Sequence, residues 1–171
     1  GKSPKLLHLA THGFYYTPNR AENVDYLKGY TDAMSLSGLV LSGGNAAWLG
    51  KPLPKGVLGG ILSANDIARL DLSNTDMVVL SACQTGQGKA TSEGLYGLQR
   101  AFKKAGVGTI VMSLWSVSDK TTSEFMTTFY ERLADTHNVG WNKRKAFEDA
   151  KEIIRKKHPD PYHWAAFVML D

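Results

Sequence analysis

The run Met77-Val78-Val79-Leu80-Ser81-Ala82-Cys83-Gln84-Thr85-Gly86 decides how this chain is read. It is apolar without alternation, reaches the only cysteine, and breaks at once into glycine. A continuous apolar run fits a strand of a parallel sheet covered on both faces, because such a strand has no solvent side. Leu6-Leu7-His8-Leu9-Ala10-Thr11-His12-Gly13 has the same form and ends on a histidine. Ligands of open α/β sheets bind outside the carboxyl ends of the strands. Two such strands, parallel and adjacent, bring His12 and Cys83 to one edge.

The chemistry follows from the thiol. Near neutral pH a thiol is mostly protonated, so a nucleophilic cysteine needs a base or a cation beside it. His12 can supply either. Gly13 and Gly86 admit close backbone approach, and the amides of Gly13 and Cys83 form a candidate oxyanion hole. The competing reading makes Cys83 an inert small hydrophobe at a strand end and His12 a structural residue. Residue pattern alone leaves both open.

Outward from these two strands, the pattern alternates with helices. Ile61 to Leu70 reads as a helix opened by Ser63, with Ile67 and Leu70 turned inward. After the glycine-containing loop 84–91, Ser92 to Lys104 places Leu95, Leu98, Phe102 and Ala105 on one face before Gly106 ends it. Thr109 to Trp115 is the next strand, helices follow near Lys120 to Ala134 and Asn142 to Lys157, Pro159 and Pro161 act as stops, and Ala165 to Leu170 closes a sheet of four main strands. Between Phe14 and Gly60, prolines and glycines interrupt any period. Ser37 to Ser42 before Gly43-Gly44 reads as half of a small hairpin. The long segment 14–60 directly follows His12, which makes it a lid or substrate wall over that residue, against the alternative of a surface insertion.

Length and composition narrow the function classes. The 171 residues fit one domain with its own core, and 43% hydrophobic content is ordinary for a globular chain. One cysteine excludes an internal disulfide framework, which agrees with a cytoplasmic location. No apolar run approaches the ~18 residues of a membrane span. The net charge of +4 and pI near 9.1 invite a nucleic-acid reading. However, Lys143, Arg144, Lys145, Lys151, Arg155, Lys156 and Lys157 alternate with Ala146, Phe147, Ala150, Ile153 and Ile154, the pattern of a solvated helix face with cations toward its end, and nucleic acid is not the expected partner. His8-x-x-x-His12 lacks the helix and the glutamate of a zinc peptidase, and neither a Walker motif nor a dinucleotide fingerprint occurs, so no metal or cofactor is expected.

Three segments together resemble the CHAT-domain peptidases, which belong with caspases, separases and gingipains among caspase-fold cysteine proteases. They are His8 to Gly13, Leu80 to Gly86, and Ser113-Leu114-Trp115-Ser116-Val117-Ser118-Asp119, the last similar to the equivalent separase segment. Trp164 to Leu170 extends the match over most of the chain. The resemblance implies a caspase-like α/β fold, a largely parallel sheet flanked by helices, over residues 1–171. It implies His12 and Cys83 as a catalytic dyad of a cysteine endopeptidase acting on a protein or peptide. It also implies an attached helical-repeat recognition region, or a partner, that switches the enzyme on. Asp119 is the candidate for an acidic pocket that selects Arg or Lys before the cut, with Trp115 as its wall and Ser81 also in contact with substrate. Asp119 precedes a predicted helix, so capping competes with that role.

Two departures qualify the resemblance. The caspase signature Gln-Ala-Cys, with a histidine about 50 residues upstream, is not met, because Ser81 precedes Ala82-Cys83 and the gap from His12 is longer. Aspartate specificity is therefore not implied. CHAT domains also carry strands and helices before the histidine strand, so the chain is expected to be an N-terminally incomplete fragment or a processed chain. Two rivals stand beside the peptidase: a silent interaction module with the same fold, and a cysteine hydrolase of a non-peptide acyl substrate.

Overall fold

A computed structural model describes residues 2–16, 21, 27–53, 55–56, 59–81, 83–84, 92–135 and 142–171. The chain divides into two compact units, residues 1–110 with Asp171, and residues 111–170.

In the first unit, β1 (Leu6–Leu9) and β5 (Met77–Leu80) pair in parallel, with Leu6 opposite Met77 and Leu9 opposite Leu80. All four residues of β5 are buried, as a strand covered on both faces requires. The order of this sheet is β1-β5-β7-β8, with β7 (Thr109–Ser113) beginning in the first unit and β8 (Phe167–Leu170) in the second. These are the four expected main strands, and the molecule is mixed α/β with a mostly parallel sheet flanked by helices.

The two leading runs do not continue as single strands. Each leaves the first sheet and re-enters a second one, of order β4-β3-β2-β6. Its members are β2 (His12–Tyr15), β3 (Ser37–Val40), β4 (Ile61–Ser63) and β6 (Cys83–Gln84). His12 and Cys83 therefore open short strands instead of ending long ones. The segment after His12 is likewise not wholly irregular, because β3 lies antiparallel between β2 and β4. The expected half-hairpin finds its partner in β4, with Val40 opposite Ile61, and the connection contains a short helix α1 (Gly44–Trp48). Ile61 and Leu62 belong to β4 and not to a helix, and only Ala64–Ile67 forms α2. Ser63 does open it: its hydroxyl accepts from the Asp66 amide while Asp66 accepts from the Ser63 amide at 3.1 Å, a reciprocal cap.

Helix α3 (Ser92–Lys104) buries Leu98, Ala101 and Phe102 and ends at Gly106, whose φ of 100° is easy only for glycine. The helix side chains of residues 92–96, Leu95 among them, lie outside the described residues.

In the second unit, α4 (Asp119–Ala134) and α5 (Lys143–Lys157) turn apolar stripes inward, with Phe125, Phe129 and Leu133 on one and Ala146, Phe147, Ala150 and Ile154 on the other. Pro161 does not simply stop the chain; it is the first residue of α6 (Pro161–Trp164), where a missing amide costs nothing. The basic face of α5 is laced with ion pairs: Lys145 to Asp149 at 3.0 Å, Arg155 to Glu152 at 2.8 Å, and Lys157 to Glu124 of α4 at 3.0 Å. Glu124 also accepts from or shares a proton with His158 at 2.8 Å, and His158 foremost, then Lys157, holds its carboxyl below the usual carboxylate range.

Phe125 sits at the centre of this unit's core. Its ring stacks on Phe167 at 4.0 Å and meets Phe147 edge-on at 5.5 Å, with no exposed surface. Phe125→Ala is expected to cost about 3–5 kcal/mol, since neighbouring rings cannot collapse into the space. Urea unfolding at unchanged m-value checks this, and a loss below about 1 kcal/mol would contradict the packing described.

Candidate active site

The second sheet brings the two sequence-nominated residues together at the backbone. β2 and β6 are parallel, and their register pairs His12 with Cys83 and Gly13 with Gln84. Neighbouring strands lie about 4.8 Å apart. The separation of 71 positions is closed by one strand-to-strand step. Only the backbone of Cys83 is described, and Ala82 and residues 85–91, with Gly86, lie outside the described residues.

His12 is exposed at the start of β2, while Gly13 and Phe14 behind it are buried. The β2 strand is held from its other side by β3, with His12 opposite Val40 and Phe14 opposite Gly38. Thr11 adds a clamp, its hydroxyl donating to the Val40 carbonyl. Gly38 is required where it stands: a Cβ there would run into the Leu62 carbonyl oxygen of β4 and lie 2.8 Å from Phe14 Cζ. The aromatic ring occupies the space that a side chain would fill.

Gly13 lies inside a strand flanked on both sides, whereas β6 is the edge strand of that sheet among the described residues.

His8 has a polar contact of its own. It is an exposed member of β1, and its Nε2 lies 2.8 Å from the half-buried Ser81 hydroxyl. Partial desolvation of the ring holds His8 below the ordinary imidazole value. Ser81 therefore already has a polar partner. His8 and His12 lie on strands of different sheets, and among the described residues no group of three His, Cys, Asp or Glu side chains could hold a metal.

A cleft of ≈ 180 Å³ opens directly beside His12. Its walls are His12, Gly13, Phe14, Tyr16, Val40 and Trp48, completed by Asn45 of α1. Phe14 and Tyr16 are site residues absent from the sequence-based expectation. The signal was present in the alternation of positions 12, 14 and 16, which in a strand share one face.

Asp119 and Trp115 belong to the second unit. Asp119 is exposed and is the first residue of α4; the cap itself is Ser118, whose hydroxyl accepts from the Thr121 amide at 3.2 Å. Asp119 is thus an exposed carboxylate, and the expected cap falls one residue earlier. Trp115 is tied down, its Nε1 donating to the Tyr162 carbonyl at 2.9 Å.

The family model for the CHAT domain matches residues 2–171. The chain belongs to the CHAT domain family. This accounts for a caspase-like fold in which a histidine strand and a cysteine strand meet. The CHAT domain described here is 31% identical over 112 residues to tetratricopeptide repeat protein 28 of Mus musculus and 30% identical over 112 residues to that of Homo sapiens. Each match covers 64% of this chain and 4% of the relative, so the chain spans only a small part of their length. Among the described residues, no helix is long and apolar enough to cross a membrane.

Proposed function

We propose that this CHAT domain is a cysteine endopeptidase in which Cys83 attacks the scissile carbonyl and His12 transfers the protons. The observation that carries the reading is the register of β2 and β6, which pairs the histidine and cysteine positions across adjacent strands. A thiolate formed with help from His12 adds to the carbonyl carbon, and the oxyanion is received by the amides of Cys83 and Gly13. The imidazolium then protonates the leaving amine, and water, deprotonated by His12, releases the acyl group from sulfur.

Attachment to helical repeats is part of the proposal, supported by the repeat proteins to which the chain is similar. Such a region, or a partner bound to it, would present substrate and switch the domain on. Asp119 is proposed to favour a basic residue before the cut, through the two charge-assisted hydrogen bonds a guanidinium gives a carboxylate, with Trp115 and Ser81 in supporting contact.

A peptidyl chloromethyl ketone series tests the reading, with Arg, Lys or Ala next to the warhead. Expected is stoichiometric labelling of Cys83, faster for Arg and Lys, with the difference reduced in Asp119→Asn. Labelling by a simple acyl-thioester analogue but not by peptides indicates a non-peptide hydrolase. No labelling by either, in the folded chain with its repeat region, indicates a silent interaction module.

A further inference from the structure

We propose that the aromatic-walled cleft beside His12 is a specificity subsite that takes one ring-bearing or branched apolar side chain of the peptide substrate. The proposal rests on the peptidase reading and adds a determinant to it. Phe14 and Trp48 meet edge-on at 5.0 Å, Tyr16 and Trp48 at 5.5 Å, and Phe14 and Tyr16 at 6.4 Å, so three rings brace one another around the space. Phe14 is buried against Gly38, while Tyr16 and Trp48 are half-buried, so part of their apolar surface stays accessible beside the proposed base. Part of that surface is continuous with a small core of Phe14, Ala21, Leu27 and Leu36, which fixes the walls from behind.

Size and charge select the occupant. The cleft holds ≈ 180 Å³, and an apolar cavity of about 150 Å³ accepts a benzene ring. That is room for one side chain and too little for a nucleotide or a cofactor, whose pockets start near roughly 300 Å³. Among the described residues that line it there is no carboxylate, lysine or arginine, so a charged side chain would be desolvated there without an opposite charge from them. Because His12 is itself a wall, a side chain seated in the cleft holds its own backbone alongside the imidazole. The site therefore reads a residue close to the cut, at a different position from the one assigned to Asp119.

The test separates binding from cleavage. In Cys83→Ala, the Trp48 indole NMR signal, assigned with Trp48→Phe, is followed during titration with N-acetyl-phenylalaninamide, N-acetyl-leucinamide and N-acetyl-alaninamide. In the active chain, kcat/KM is measured over a peptide library. Expected are saturable shifts with the Phe and Leu amides only, and a preference of about 10- to 100-fold for apolar over Ala at one position, seen mainly in KM. Trp48→Ala is expected to abolish the preference. If that variant does not fold by circular dichroism, Asn45→Trp, built from an exposed position to fill the cleft, serves instead. Shifts without cleavage of any peptide keep the binding site and remove the peptidase reading. Cleavage indifferent to apolar residues overturns the subsite and leaves the peptidase standing, whether or not free amides bind.

Discussion

Cys83→Ala is expected to reduce cleavage of a protein substrate to background while leaving the melting temperature within a few degrees of the parent. In an enzyme whose nucleophile and base act as a unit, removing the nucleophile alone costs on the order of 10⁴- to 10⁶-fold in turnover. The stability effect is small for a different reason. Cys83 joins the second sheet through backbone pairing with His12, and alanine keeps the backbone and the Cβ. A thiol replaced by a hydrogen removes little packing compared with the 2–5 kcal/mol of a large-to-small core change. Activity and melting temperature must be measured on the same preparation. Cleavage that persists in the alanine variant removes Cys83 as the nucleophile; a collapse of the melting temperature would instead mark it as a structural residue.

How far this arrangement could be read without coordinates depends on which physical signal each element carries. Met77–Leu80, and Ile110–Met112 within Thr109–Ser113, are legible because a strand buried on both faces is apolar without alternation. Helices α3, α4 and α5 are legible from their stripes, and α3 and α5 also from Gly106 and Asn142 at their ends. The change of sheet between Leu9 and His12, and between Leu80 and Cys83, is not legible, since leaving one ladder and entering another alters hydrogen-bond partners and not residue type. That single omission made His12 and Cys83 look like strand ends. Both segments change sheet, and His12 and Cys83 stand opposite each other in the β2–β6 register. Ser37 to Ser42 reads as half of a hairpin, and a glycine inside a strand marks close approach of a neighbour. At Gly38 the neighbours are the Leu62 carbonyl of β4 and the ring of Phe14. Asp119 shows the opposite failure: aspartate and serine both cap helices well, and only geometry distinguishes Ser118 from its neighbour.

His12→Ala is expected to slow alkylation of Cys83 by iodoacetamide at neutral pH by about 100-fold or more, the scale of a lost acid–base group. His8→Ala should leave that rate nearly unchanged. The contrast follows from place: His12 opens β2 as the register partner of Cys83, whereas His8 lies on β1 in the other sheet with its Nε2 on Ser81. Without His12 the thiol should label as an isolated one does, its rate rising only toward the ordinary thiol range near ~8.5. His8 has its own pH signature, in stability instead of reactivity. Its folded-state value is held below the ordinary imidazole value of ~6.5 by desolvation, so the fold binds fewer protons than the unfolded chain does. Stability is therefore complete above that value and falls as the pH drops from it toward the folded-state value. His8→Ala should remove this part of the acid sensitivity, while His12→Ala retains it. Urea midpoints at neutral and mildly acidic pH, paired with labelling rates for both variants, decide the matter: equal losses of labelling from His8 and His12 would leave no ground for naming His12 the base.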